Sequence, residues 1–125
     1  MTRLEHVNVT VADPDATAKL LCDLFGWHVR WSGEAMQNGR TVHVGSDDSY
    51  VALFSHGDDQ AGPIDSYRTR AGLNHIAVVV DDLAATEARV VRAGYVPGKH
   101  ADYEPGHRFY FTEENGVEIE VVNYD

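Results

Sequence analysis

The chain has a single cysteine, Cys22, so no disulfide can form within it. Inside an apolar helical pattern, that cysteine reads as a small buried residue. No apolar run reaches membrane length, and there is no low-complexity tract. No basic-then-apolar leader precedes the first strand pattern, so the expectation is a soluble, cytoplasmic protein with no membrane partner. Basic residues are scarce: ten Lys and Arg stand against twenty Asp and Glu, a formal charge of −10. Such a surface offers no attraction to nucleic acid or to an anionic membrane, and both are excluded as expected partners. A small anionic substrate is not excluded, because one metal ion or one arginine reverses the local field.

What is present occurs twice. Leu4-Glu5-His6-Val7-Asn8-Val9-Thr10-Val11 is followed by Asp13-Pro14 and a helical pattern ending in Gly26-Trp27. Leu73-Asn74-His75-Ile76-Ala77-Val78-Val79-Val80 is followed by Asp81-Asp82 and a helical pattern ending in Gly94-Tyr95. A shift of 69 residues places Leu4 on Leu73, His6 on His75 and Asp13 on Asp82. Such self-similarity marks two copies of one unit.

Each copy reads βαβββ. In residues 4–11, Val7, Val9 and Val11 alternate with His6, Asn8 and Thr10, so the strand has one apolar and one polar face. Asp13 is an N-cap, Pro14 suits the first turn, and Gly26 stops the helix. Between them Thr17, Leu20, Leu21, Leu24 and Phe25 form a core-facing stripe. Strands are expected over 27–31, 41–44 and 50–54. Residues 57–72, with Gly57, Gly62, Pro63 and Gly72, read as a linker. The second copy offers a strand over 73–80 and a helix with Ala84, Ala88 and Val91 on its stripe. A short strand at Tyr95-Val96 and a polar, irregular stretch over 99–106 follow. Strands over 107–111 and 117–122 are joined by an Asn115-Gly116 turn. The expected fold is α+β: a single 1–125 domain with modules at about 1–56 and 73–125, curved mixed sheets forming a cup or half-barrel, and helices on the convex side.

Face parity selects the chemistry. His75 faces away from the helix if Ile76, Val78 and Val80 face it. Glu118 and Glu120 face away if Ile119 and Val121 are the helix-side residues. His6, His75 and one of these two glutamates then share the open side. Two imidazoles and a carboxylate form a set that binds a divalent first-row metal and leaves positions open. A lone strand histidine is more often a hydrogen-bonded core residue, but two at equivalent repeat positions are not explained that way. His100, Asp102, Tyr103, His107 and Arg108 cluster around the irregular stretch. Tyr103 and His107 are candidate acid–base groups, and Arg108 is a candidate holder of an anionic substrate. His43, His56 and Tyr50 are further possibilities, with Tyr50 a candidate substrate contact. His28 carries no signal.

The sequence resembles the vicinal oxygen chelate superfamily, which includes glyoxalase I, extradiol dioxygenases, fosfomycin-resistance transferases, methylmalonyl-CoA epimerase and bleomycin-resistance proteins. The residues that carry the resemblance are Leu4-Glu5-His6-Val7, Gly72-Leu73-Asn74-His75-Ile76-Ala77-Val78, and Phe111 through Val121. It implies paired βαβββ modules cupped around one divalent metal ion (Fe, Mn, Ni, Zn or Co) held by His6, His75 and Glu120, with Ile119-Glu120 matching the family pattern over Glu118. It implies a metal-dependent lyase, dioxygenase or transferase acting on a small oxygenated substrate, or else a metal-free small-molecule-binding protein of the bleomycin-resistance type. Two chains would complete the cups and cover open sheet edges, so a homodimer is expected, and the resemblance adds that in glyoxalase-like members ligands come from both subunits. Two departures stand out. Ala52 occupies the place of a further glutamate in glyoxalase I-like members, which tells against glyoxalase chemistry proper. Glu113-Glu114-Asn115-Gly116 replaces the usual Asp-Pro-Asp-Gly or Asp-Pro-Asn-Gly hairpin.

Overall fold

The computed structural model describes residues 1–57, 60–103 and 105–125, without the side chains of Gln37 and Tyr103. Its elements run β1 (His6–Thr10), α1 (Pro14–Phe25), β2 (His28–Glu34), a 3₁₀ turn (Met36–Asn38), β3 (Arg40–Gly45), β4 (Tyr50–Ser55), β5 (Ile76–Val79), α2 (Leu83–Arg92), β6 (Gly98–Tyr103), β7 (Gly106–Thr112) and β8 (Glu118–Asn123). The fold is α+β: two four-stranded mixed sheets, ordered β1-β4-β3-β2 and β5-β8-β7-β6, each with one helix. Two compact units result, Met1–Gly62 and Pro63–Asp125. The boundary falls inside the expected linker, and its second half, 63–72, belongs to the second unit. Among the described residues no helix is long and apolar enough to cross a membrane.

In the first unit local signals and packing agree. The Asp13 carboxylate accepts from the Ala16 amide at 3.2 Å, which satisfies one of the amides a helix start leaves open. Gly26 ends α1 at φ 69°, a conformation that favours glycine. The buried stripe of α1 is Pro14, Thr17, Ala18, Leu21 and Leu24, and it packs against β3 and β4. Val42, Val44, Val51 and Leu53 meet it from the sheet and are at most 5% exposed. Cys22 is half-buried, and burial pushes its thiol up. Arg40 of β3 donates twice to Asp15 of α1, at 2.6 and 3.0 Å, tying helix to sheet.

The second unit corrects three expectations. The strand expected at Tyr95-Val96 lies instead over Gly98–Tyr103, inside the stretch expected to be irregular. Tyr95 still completes the end of α2, its amide donating to the Val90 carbonyl at 3.2 Å. β6 shows no apolar alternation because it is an edge strand, paired to β7 alone and free to be polar. The helix stripe is also different: Ala84, Ala88 and Val91 are exposed, while Thr86 and Val90 are buried. Threonine can be buried here because its hydroxyl donates to the Asp82 carbonyl at 2.9 Å and accepts from Arg89 at 3.1 Å. The strand expected over 73–80 pairs only over Ile76–Val79. The core joins Val78, Val90, Phe109, Phe111, Ile119 and Val121.

Glu113 accounts for the departure in the hairpin. It is 4% exposed and accepts from the amides of Asn115 and Val117 at 2.8 and 2.9 Å. Its other oxygen accepts from the Asn115 side chain at 2.7 Å. The carboxylate thus holds the turn in which Gly116 takes φ 88°.

Candidate functional site

Strand register determines the face opposite α1. His6 pairs with Tyr50, Asn8 with Ala52, and Ala52 and Trp31 both with His43, so these side chains share one face. The His6 side chain is 40% exposed there, as the alternation of β1 expects, and its Nδ1 lies 3.0 Å from Glu5 Oε1. The Tyr50 hydroxyl donates to the same oxygen at 3.2 Å. These bonds from His6 and Tyr50 hold the Glu5 carboxyl below its ordinary value. The His6 and Tyr50 rings stack with centroids 4.8 Å apart, and His43 stacks on Tyr50 at 4.5 Å. Trp31 lies against His43 at 5.1 Å. Burial, then the nearby His6 and Arg30, push the His43 imidazole below its ordinary value. Ala52 is 1% exposed and puts no carboxylate on this face.

In the second unit the register sets Glu120 beside Ala77 and Tyr110. Glu120 is 6% exposed. Its Oε1 lies 3.0 Å from His75 Nε2 and accepts from the Tyr110 hydroxyl at 3.1 Å, and Oε2 accepts from Arg108 Nη1 at 3.0 Å. Burial, with the bond to Glu120, pushes the Tyr110 phenol up. Asn74 Oδ1 sits 2.7 Å from His75 Nδ1, an outer contact that sets the ring's orientation. Glu118 is engaged elsewhere: Lys99 Nζ donates to it at 2.8 Å, and so does the Tyr67 hydroxyl. Burial opposes the Glu118 charge, but Lys99 and Tyr67 more than offset it and hold the carboxyl below its ordinary value. Lys99 stands at φ 50°, within the register shift between Gly98 and Ala101. This cluster borders a cavity of about 400 Å³ lined by Tyr95, Lys99, Tyr110 and Glu118.

The structure therefore brings His75, Glu120 and Arg108 together and adds Asn74 and Tyr110, which the sequence reading did not single out. Tyr110 was within reach of that reading, because it pairs with Glu120 across an antiparallel ladder. Arg108 contacts Glu120. His107 does not join the group: it pairs with Asn123, the next helix-side position after Val121, and its Nδ1 lies 2.6 Å from Asp102. There it lines a separate cavity of about 450 Å³ with Asp82 and Glu87. His100 is 2.8 Å from Glu87 of α2. His28 lies near Asp47, and His56 edges onto Phe54. The side chain of Tyr103 lies outside the described residues.

The donor set of the second unit fits a divalent cation in part. His75 Nε2 and Glu120 Oε1 stand 3.0 Å apart, a hydrogen-bonding distance that also suits two neighbouring donors of one octahedral ion. Among the described residues, no group of three or more His, Cys, Asp or Glu side chains is gathered closely enough to hold an ion.

Residues 3–121 match the family model described as the glyoxalase/bleomycin resistance protein/dioxygenase superfamily. The chain belongs to that superfamily. The fold has solved counterparts within it. A glyoxylase/bleomycin resistance protein/dioxygenase domain from Frankia sp. EAN1pec superposes with a TM-score of 0.84 at 20% identity, covering 100% of this chain and 99% of that one. The fosfomycin resistance protein FosX from Listeria monocytogenes gives 0.74 at 17% identity, covering 98% and 93%. TnmS3, an antibiotic binding protein from Streptomyces sp. CB03234, gives 0.73 at 14% identity, covering 100% and 98%. Comparison with curated proteins gives no match. At these identities the likeness is one of fold.

Proposed function

We propose that this superfamily member is a metal-dependent enzyme acting on a small oxygenated substrate, with His75 and Glu120 of one chain and His6 of a second copy holding one divalent cation. The observation that carries the reading is the 3.0 Å approach of His75 Nε2 to Glu120 Oε1. The outer contacts support it. Asn74 orients the imidazole and Arg108 occupies Oε2, which leaves Oε1 turned toward His75. A divalent cation in this set supplies Lewis acidity toward adjacent substrate oxygens. The chain's own residues then divide the work. Arg108 orients Glu120, and among the described residues Tyr110 is the phenol that donates to the carboxylate. His107, on the other face, keeps its partnership with Asp102. With Ala52 in place of a second glutamate, ring-cleaving oxygenation or metal-assisted transfer suits the site better than glyoxalase proton shuttling. A homodimer accords with the open sheet edges, and a cytoplasmic setting accords with the single cysteine.

A second reading has its own observation. Arg108 already neutralises Glu120 at 3.0 Å, as a site that never takes a metal would require. The chain would then be a metal-free binder of small molecules, a role in keeping with the antibiotic-binding TnmS3.

Metal analysis of protein purified without chelator separates the two. Under the first reading the unmodified chain carries about one ion per chain, as a single mononuclear site requires. Glu120→Gln loses the ion because the only anionic donor is gone, and Glu118→Gln keeps it because Glu118 is committed to Lys99 and Tyr67. The reverse pattern would overturn the ligand assignment. An unmodified chain that never holds metal would leave the binding reading standing. Screening catechols, thiol-adduct aldehydes and epoxides across several metals then finds the reaction.

A further inference from the structure

The first unit carries a feature that the metal reading uses only at His6. Four rings step across all four strands of its sheet on the face opposite α1: His6 on β1, Tyr50 on β4, His43 on β3 and Trp31 on β2. Successive centroids are 4.8, 4.5 and 5.1 Å apart; the first two pairs are stacked, and the Trp31 ring is tilted by 51° against His43. The outermost ring lies over Gly33, where an added Cβ would stand 2.8 Å from two atoms of the Trp31 indole. Trp31 remains 52% exposed.

A cation sits beside these rings. The ladder runs Val29–Val44 and then Trp31–His43, so Arg30 is the extra residue of a bulge. Bulges re-aim side chains, and here the Arg30 guanidinium stands 4.6 Å over the Tyr50 ring. Its Nη1 donates to the Ser46 carbonyl at 3.2 Å. Among the described residues, no carboxylate lies within ion-pair distance of it. The nearby Glu5 is held by His6 and Tyr50.

We infer that this face is a binding platform for a planar aromatic anion, whose ring stacks on the exposed Trp31 beside His43 and whose anionic group meets Arg30. The charge pattern selects that occupant. The chain as a whole carries −10 and repels anions, so one exposed arginine beside a run of rings is a local exception. Stacking supplies affinity for any flat ring, and the guanidinium supplies the preference for a carboxylate or phenolate on it. The platform shares His6 with the proposed metal site, but Trp31 and Arg30 do not depend on an ion there.

Calorimetric titration with 2-naphthoate tests it, with cyclohexanecarboxylate as the anion without a ring face and 2-naphthylmethanol as the ring without a charge. The unmodified chain is expected to bind 2-naphthoate tightest and cyclohexanecarboxylate at least tenfold more weakly. Trp31→Ala should weaken 2-naphthoate at least tenfold, and Arg30→Gln should weaken it several-fold while leaving 2-naphthylmethanol unchanged. Trp27→Phe, which removes the other tryptophan, should change neither. Trp31 and Arg30 are exposed, and circular dichroism checks that both variants fold. Glu120→Gln should retain 2-naphthoate binding even where it loses metal, so the two proposals fail separately. Equal binding of cyclohexanecarboxylate, no effect of Trp31→Ala, or no binding heat at all would overturn the assignment. So would a dimer in sedimentation that Trp31→Ala breaks, because a second copy would then be the occupant.

Discussion

Arg108→Met is expected to destabilise the fold by about 3 kcal/mol, because it leaves a buried carboxylate without its cation. Both side chains of the pair are close to fully buried, at 11% and 8% exposure. Glu120 would keep Tyr110 and His75 as neighbours, which moderates the loss without removing it. In thermal unfolding the change corresponds to a fall of roughly 10 °C for a domain of this size. The double change Arg108→Met with Glu120→Met should recover most of the loss, since a buried ion pair replaced by apolar groups of similar volume is often neutral. A single variant as stable as the unmodified chain would show that Glu120 does not need Arg108.

Phe109→Ala should be costlier still, at about 3–5 kcal/mol. Phe109 is 0% exposed and is the largest of the fully buried side chains. It sits at the centre of β7, across from Val121, and the His100 ring stacks on it at 6.0 Å. Removing it opens a void that Val90 and Val121, themselves fully buried, cannot fill without moving strand or helix. Denaturant unfolding should show a lower midpoint with an unchanged slope. A loss below about 1 kcal/mol would mean that the second unit repacks around the gap.

The two predictions rest on neighbours with different visibility in the sequence. The repeat, the α1 boundaries and the facing of His6 were legible because each depends on a local signal: Asp13 and Gly26 at the helix ends, and alternation along β1. The α2 stripe was misread for a local reason too. Alanines look apolar, and Thr86 looks polar until its hydroxyl is seen bonding to Asp82 within its own helix. β6 lacked any alternation to read, being an edge strand. The environment of Glu120 depended on register. Tyr110 is ten residues away, and the choice of Arg108 between substrate and carboxylate is not written in its own neighbourhood. Tyr67 was less visible still, since it belongs to a segment that read as a linker and yet reaches Glu118. The ring stack needed four strands in register before any pair in it could be seen.

β1 and β5 are both outer strands, each held by one ladder, to β4 and to β8. β1 opens on His6, and His75 stands one residue before β5. Amides on such strands exchange with solvent through small local openings, well below the energy of global unfolding. Anything bound through either imidazole would also pin the single ladder that holds its strand. Occupancy should thus be felt as slowed exchange along Val7–Thr10 and Ile76–Val79, and part of the intrinsic affinity would go into quenching that motion.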